Sequence, residues 1–251
     1  MSSFKTGIYS SLLVLAALNP VRADFVGLNI GANRWTPDVN GTLNSNNASS
    51  SSIDLKNNLG YKDKTSTALT LSFEHPLPFV PNIKYSGYDL KSSSSKNTSS
   101  TLSFNGKDYT AGTINSTLDL SHKDIVLYYQ LLDNWVNLDL GLDLKKFDGK
   151  VSMTNNVNNE SISVDETIPM LYLAARFDLP LTGMYIGANI QQLSIGDSSS
   201  EDTTLMIGYE SKSGLGVEGG IKTFSLDLQD ANNLNTNLEY DGIYLNGYFH
   251  F

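Results

Sequence analysis

The 251-residue chain contains no cysteine, so neither a disulfide framework nor a thiolate metal site can hold it together. It has only three histidines, too few for a histidine-rich metal centre. Charged residues make up only 17% of the chain, with 26 acidic against 17 basic residues. That sparse and acidic balance disfavours nucleic-acid binding. Beyond the first twenty residues, no apolar run approaches the 18 or so needed for a transmembrane helix. With 40% hydrophobic residues the chain is too apolar to be disordered. Its abundance of Ser, Asn, Thr and Gly is wrong for a helical protein.

Residues 1–23 carry the pattern of a secretory signal peptide. Lys5 is the positive residue, IYSSLLVLAAL from Ile8 to Leu18 is the apolar core, and Asn19-Pro20 breaks any helix. Val21-Arg22-Ala23 places modest side chains before a cut at Asp24. Removing Lys5 and Arg22 from the 17 basic residues leaves 15 against 26 acidic ones, a mature charge of -11. The remaining 24–251 read as one domain.

That domain alternates with period two. In VNLDLGLDLK, Val136, Leu138, Leu140, Leu142 and Leu144 fall on one face and Asn137, Asp139, Gly141, Asp143 and Lys145 on the other. A helix would smear these sets around its cylinder, whereas a strand separates them. The same texture predicts strands over Val26–Arg34, Thr65–Glu74, Asn82–Leu90, Thr113–Leu131, Val136–Lys145, Pro169–Phe177, Met184–Ile195, Thr203–Glu210, Leu215–Lys222 and Ile243–Phe251. Within Thr113–Leu131 the phase slips between Leu118-Asp119-Leu120 and Ile125-Val126-Leu127, as a bulge would cause.

Alternation also fits a soluble sandwich, so three further features decide the class. Short turns at Pro76–Pro81, Leu132–Asn134, Asp178–Gly183 and Ser211–Gly214 alternate with longer connections at Thr36–Lys64, Lys91–Gly112, Asp148–Asp165, Gly196–Glu201 and Gln229–Asn237. Outer-membrane barrels sort their connections in this way. Aromatic residues collect at the short-turn ends (Phe25, Phe73, Tyr85, Tyr129, Trp135, Phe177, Tyr185, Tyr209 and Phe249), and a second set, Trp35, Tyr88, Phe147, Phe224 and Tyr240, marks the other ends. Both sets are expected as interfacial girdles. The chain then ends in Tyr248-Phe249-His250-Phe251, which resembles the C-terminal signature read by the barrel-assembly machinery.

The expected fold is therefore all-β: a transmembrane antiparallel up-and-down barrel of about ten strands, with eight as the alternative. Closure is required because lipid offers no partner to an open sheet edge. The expected location is the outer membrane of a Gram-negative cell. The partners would be outer-membrane lipids, lipopolysaccharide and the assembly machinery, the last through Tyr248, Phe249 and Phe251.

The segments DIVLYYQLLDNWVNLDLGLDLKKFDG (Asp124–Gly149), EHPLPFVPNIKY and DGIYLNGYFHF, with Gly219-Gly220 in the penultimate strand, resemble a family of GlyGly-type outer-membrane barrels, loosely related in name to the W-type barrels. The resemblance covers most of the mature chain. It implies fold and location but no activity. Likeness to the W-type barrels would suggest a channel for small solutes or hydrophobic compounds, by analogy of fold alone.

No catalytic constellation emerges. Ser121 and His122 are adjacent, so they point to opposite faces of a strand and cannot pair simply. His75 and His250 read as interfacial polar residues. Asp197, Glu201 and Asp202 read as a solvated acidic loop rather than a Ca²⁺ site. Glycines such as Gly27, Gly31, Gly216 and Gly220 on the inner face are expected to allow strand curvature. No cofactor or metal is expected. The inward charges Glu74, Lys84, Asp139, Arg176, Glu210 and Glu218 are the candidate lumen residues, with Glu74–Lys84 and Asp139–Arg176 expected as ion pairs across the ladder. The expected function is a non-enzymatic porin-like barrel, either structural or a narrow channel. A lipid- or peptide-cleaving barrel enzyme and adhesion through the Ser/Asn-rich loops are the alternatives.

Overall fold

In the computed structural model, residues 26–45, 52–231 and 234–251 are described; the signal-peptide segment lies outside them. The strands in chain order are β1 (Gly27–Ser45), the short β2 (Ile53–Asp54), β3 (Ser66–Glu74), β4 (Asn82–Tyr88), β5 (Lys91–Thr98), β6 (Leu102–Phe104), β7 (Lys107–Tyr109) and β8 (Gly112–Asp119). They continue as β9 (His122–Asp133), β10 (Val136–Phe147), β11 (Gly149–Thr154), β12 (Asn159–Val164), β13 (Thr167–Asp178), β14 (Met184–Ile195), β15 (Ser198–Glu210), β16 (Leu215–Ala231) and β17 (Leu234–His250).

Ten of them close an antiparallel barrel in the order β17-β16-β15-β14-β13-β10-β9-β4-β3-β1, and β1 pairs back to β17. The eight-strand alternative is excluded. Every barrel neighbour is the next barrel strand in sequence, so the topology is up-and-down. The seam is well paired: Asn29 faces His250, Ile30 faces Phe249, and the register continues without a break to Ser45 and Leu234. Closure leaves no open edge in the barrel wall.

Between the turns, the apolar set of each strand faces outward. Leu69, Leu71 and Phe73 on β3, Leu140, Leu142 and Leu144 on β10, and Ile243, Leu245 and Phe249 on β17 are all exposed on the barrel exterior. The partner positions, including Asn33, Asp124, Asp143, Lys145, Asp202 and Lys222, are buried inside. This is the reverse of a soluble sandwich, whose apolar face turns inward.

Much of the described part of the long connections is strand. β1, β16 and β17 run for 19, 17 and 17 residues and carry the wall well beyond the apolar band. Gly196-Asp197 is a two-residue turn between β14 and β15, with Gly196 in the left-handed region. Lys91–Gly112 and Asp148–Asp165 build a cap: β12-β11-β8-β5 form a four-stranded sheet, and β6-β7 a small hairpin. The expected strand Thr113–Leu131 is two strands, β8 in the cap and β9 in the barrel. The slip at Leu120-Ser121 is where the chain leaves one sheet for the other, not a bulge.

Along β16 and β17 the pairing keeps phase from Leu215↔Phe249 to Leu228↔Thr236, yet the chemistry of the two faces inverts. Leu215, Val217 and Ile221 face outward on β16, but beyond Lys222 the outward positions are Thr223, Ser225 and Asp227, and the buried ones are Phe224 and Leu226. On β17 Tyr240, Leu238 and Leu234 are buried, and Asp241, Glu239 and Asn237 turn outward. The inversion marks the level at which the apolar exterior band gives way to a polar exterior.

Above that level lies one apolar core. Trp35, Phe147, Phe224 and Tyr240 from the wall pack with Leu55 and Leu59 and with cap residues such as Phe104, Tyr109, Leu118 and Met153. Four of the five aromatics expected as a second girdle are thus buried among themselves; Trp35, Phe147, Phe224 and Tyr240 are at most 1% exposed. The girdle reading gave them the wrong face: they lie just past the expected strands, and the alternation continued in phase turns them inward, where the exterior has become polar. Tyr88 is also on the inner face. At the short-turn end, Phe73, Tyr129, Trp135, Phe177, Tyr209 and Phe249 do face outward, with Trp135 and Phe177 stacked edge to face at 5.2 Å. Tyr185, expected among them, points inward.

Candidate functional site: a lumen divided in two

The short-turn end of the barrel encloses a cavity of about 580 Å³. Its walls are built from the inward positions of all ten strands, and it reaches from His75 and His250 at the mouth to Tyr88, Tyr172, Thr204 and Tyr244 at its inner end. All six lumen residues expected from the alternation line it: Glu74, Lys84, Asp139, Arg176, Glu210 and Glu218.

Their partners differ from the expected pairs. Glu74 accepts a hydrogen bond from the Tyr128 hydroxyl at 2.6 Å. The Lys84 ammonium lies over the Tyr172 ring, 5.9 Å from its centroid. Arg176 pairs with Asp178 at 2.8 Å and with Glu210 at 3.2 Å. The ladder explains the difference, since Arg176 sits directly opposite Asn137 and Asp139 opposite Ala174, one inward step away. The guanidinium instead stacks on Tyr185 at 3.8 Å, which turns it along the wall toward Glu210.

Tyrosines do most of the hydrogen bonding. Glu218 accepts from Tyr185 at 2.6 Å, Tyr244 at 2.5 Å and Asn246 at 3.0 Å. Glu210 accepts from Tyr248 at 2.9 Å and contacts His250 Nδ1 at 3.3 Å. These rings lie flat on the wall because glycine stands beneath them. A Cβ at Gly208 would lie 2.2 Å from Tyr185, and one at Gly216 2.1 Å from Tyr248. The inward glycines therefore supply seats for aromatic rings as well as freedom to curve.

Tyr248 faces inward, while Phe249 and Phe251 turn outward with their rings 4.5 Å apart. The Phe251 amide donates to the Leu28 carbonyl at 2.9 Å, which fastens the last residue onto the first strand. His75 borders the mouth, its Nδ1 accepting from the Leu77 amide at 3.2 Å.

Above the cavity lies a layer of buried charge that the sequence reading missed. Lys145 donates to both oxygens of Asp124 at 2.9 Å and to Asp202 at 3.3 Å. Lys222 donates to the other oxygen of Asp202. Tyr88 lies 6.0 Å from the Lys145 ammonium and 5.1 Å from that of Lys222. Phe224 and Trp35 hold the two ammoniums from the apolar core, at 5.6 and 5.5 Å. His122 stacks on Tyr88 at 5.0 Å, and its Nδ1 contacts the Leu120 carbonyl at 2.8 Å. The alternation put Lys145 and Lys222 on the inner face but read Asp202 as loop, and only the convergence of Tyr88, His122, Asp124, Lys145, Asp202 and Lys222 from five strands shows that they meet.

His122, Asp124 and Asp202 bring their ligand atoms within 4.8 Å of one another, the spacing of a metal site. The Lys145 and Lys222 ammoniums already occupy the position a cation would take, so the set does not fit a metal. Glu201 faces away from Asp202 on the outer surface, so the acidic loop expected there is split across the wall. Ser121 donates to Asp119 at 2.7 Å rather than engaging His122.

No protein-family model matches the chain, and no curated protein matches it by sequence. Solved structures match by fold. The outer membrane protease OmpT from Escherichia coli is similar over 90% of this chain and 97% of its own, with a TM-score of 0.51 and 13% identity. A Pseudomonas aeruginosa FadL homologue aligns over 90% of both chains at a TM-score of 0.36 and 9% identity. At such identities the likeness to OmpT concerns architecture alone: the chain has the closed ten-stranded β-barrel fold seen in outer-membrane proteins.

Proposed function

We propose that this protein is an integral outer-membrane barrel of a Gram-negative cell, non-enzymatic and structural, which displays a rigid β-cap on the external side and does not conduct. The apolar exterior band and the outward aromatics at the short-turn end support membrane insertion. Short turns are periplasmic in such barrels, which puts both ends of the described chain and the cavity mouth on that side. The resemblance to the GlyGly-type barrels belongs to this reading, and so do lipid and lipopolysaccharide contact and assembly through Phe251.

The observation that carries the closed state is the sequence of two seals. Buried lysine–carboxylate contacts lie directly above the cavity, and the Trp35–Phe224–Tyr240 core lies above them. A hydrated solute would have to break both. Of the two readings, structural or narrow channel, the structural one fits this geometry. Adhesion through flexible Ser/Asn loops has less support: Ser92–Thr98 is part of β5, and Ser94 donates to the Leu59 carbonyl at 2.6 Å. The test is planar-bilayer recording of the refolded chain. The expected trace shows no ohmic steps; a steady open-channel current at low voltage contradicts the reading.

A further inference from the structure

The border where the barrel exterior turns from apolar to polar is unevenly charged. On β15, β16 and β17 the first outward charges past the apolar set are Glu201, Asp227 and Asp241. On β1, β9 and β10 they are Arg34, Lys123 and Lys146, with Asp89 on β4 among them.

Two of these cations are unmatched. Arg34 follows Val26, Leu28, Ile30 and Ala32 on the outer face of β1 and sits between Leu245 and Thr67 on the neighbouring strands. Its guanidinium donates to the Thr65 hydroxyl at 3.4 Å. Lys123 stands directly opposite Lys146 across the β9–β10 ladder, a like-charge pair that costs stability unless an anion joins it. Lys146 reaches Asp165 at 3.6 Å, an exposed contact of little strength. Among the described residues, neither Arg34 nor Lys123 has an ion-pair partner.

A second, independent observation lies beside them on the apolar side of the border. One row of the ladder runs through Gly247, Ala32, Leu69, Gly87 and Lys123. Gly247, Ala32 and Gly87 have little or no side chain, and the outer wall is hollowed there into a mostly apolar groove that Arg34, Val217 and Leu245 also line. No atom lies within 4 Å of where a Cβ at Gly247 would stand.

An apolar trough that ends at unmatched cations suits an acyl chain with an anionic head group, and Arg and Lys both bind phosphate. Arg34 and Lys123 are three strand spacings apart, about 14 Å. One phosphate does not span that gap; a head group with two does. We infer that this groove is the seat of the lipopolysaccharide contact: an acyl chain lies along Gly247, Ala32 and Gly87, one phosphate of the lipid A head group is held by Arg34, and the other by Lys123 with Lys146. The inference rests on the membrane reading proposed above and gives that contact a site.

The test is native mass spectrometry of the full chain refolded in detergent, titrated with lipid A bearing two phosphates, with the same lipid dephosphorylated, and with phosphatidylglycerol. The expected result is a one-to-one adduct that is roughly tenfold tighter with the bisphosphorylated lipid than with either of the others. Arg34→Gln and Lys123→Gln should each weaken it roughly tenfold. Gly247→Leu fills the groove and keeps every charge, and it should weaken binding as well. Asp89→Asn removes the outward carboxylate of the groove and should tighten it. Lys212→Gln, in the exposed turn between β15 and β16 at the other end, should bind as the unmodified chain does. Each variant is first checked for heat-modifiable mobility, so that a folded barrel is compared with a folded barrel. A barrel that folds in detergent but holds all the lipids equally, or keeps its affinity in both cation variants, overturns the site and leaves the membrane reading standing. A two-copy mass that Gly247→Leu abolishes also overturns it, by assigning the groove to a second copy of this chain. A chain that is soluble without detergent and shows no heat-modifiable mobility removes the membrane reading itself, and the inference with it.

Discussion

The two halves of the lumen are built from the same strands in the same register, yet they behave as different materials. Near the short turns the inward positions are Gly, Asn, Tyr and paired charges around open space. Beyond Lys222 they are Trp, Phe, Leu and Tyr packed into a buried core. What changes is which face of the ribbon meets water. Inside the membrane band, the lumen is the only wet side. Outside it, the exterior is wet, and the lumen becomes the natural place for a hydrophobic core. The buried Lys–Asp layer stands at the change-over, where neither rule holds alone.

Breaking that layer should have the largest effect. Lys145→Met strands Asp124 and leaves Asp202 with one partner, and it should cost about 3–5 kcal/mol in equilibrium unfolding. Trp35→Ala, just above, should cost a similar ~3–5 kcal/mol by leaving a cavity in a closed core. In the open half, Tyr248→Phe removes one hydroxyl that bonds Tyr185 and Glu210 but leaves water to replace it, so about 1 kcal/mol is expected. Equal losses in the two halves would erase the distinction between them.

Glycine substitutions sharpen the contrast between inner and outer faces. Gly216→Ala drives a methyl into the Tyr248 ring and should cost about 1–3 kcal/mol. Gly247→Ala, on the lipid side of the neighbouring strand with no atom within 4 Å of the new Cβ, should be near neutral. Heat-modifiable gel mobility reads both.

The smallest effect lies in the upper core, where the cap meets the wall. Burial raises the Tyr61 and Tyr109 hydroxyls from an ordinary value of 10.0 to about 12. Folding favours their neutral form. Their contribution is therefore complete below pH 10 and declines as the pH rises from about 10 through 12. Ultraviolet titration should show these two phenols ionising after the exposed ones. Ionisation together with the exposed phenols would mean that the upper core is open to water.

Much of the barrel could be read in the chain. Period-two alternation, four short turns and an aromatic terminus were enough for ten strands, closure and the outward face, because lipid makes one face uniformly apolar. The six expected lumen residues line the cavity for the same reason. Their partners are not the expected ones, because a two-residue inward step along β13 separates Asp139 from Arg176, and stacking on Tyr185 decides the rest. The upper wall was missed beyond Lys222. There the apolar set moves to the other face without any change of phase, so a pattern followed by face appears to stop where the strand continues. Ser/Asn-rich stretches such as Lys91–Thr98 looked like loops because edge strands of a solvated sheet need few apolar residues. The meeting of Asp124, Lys145, Asp202 and Lys222 depends on barrel stagger, which no local spacing records.

The division of the lumen can be measured directly because the chain has no native thiol. Single cysteines would be placed at Ser72, which lines the cavity, and at Ser200, buried above the charged layer, and each folded barrel treated with a small, charged, thiol-specific reagent. The Ser72→Cys thiol should react at a rate near that of an exposed thiol, and the Ser200→Cys thiol should stay unmodified until the protein is unfolded. Comparable labelling of both in the folded barrel would contradict the account.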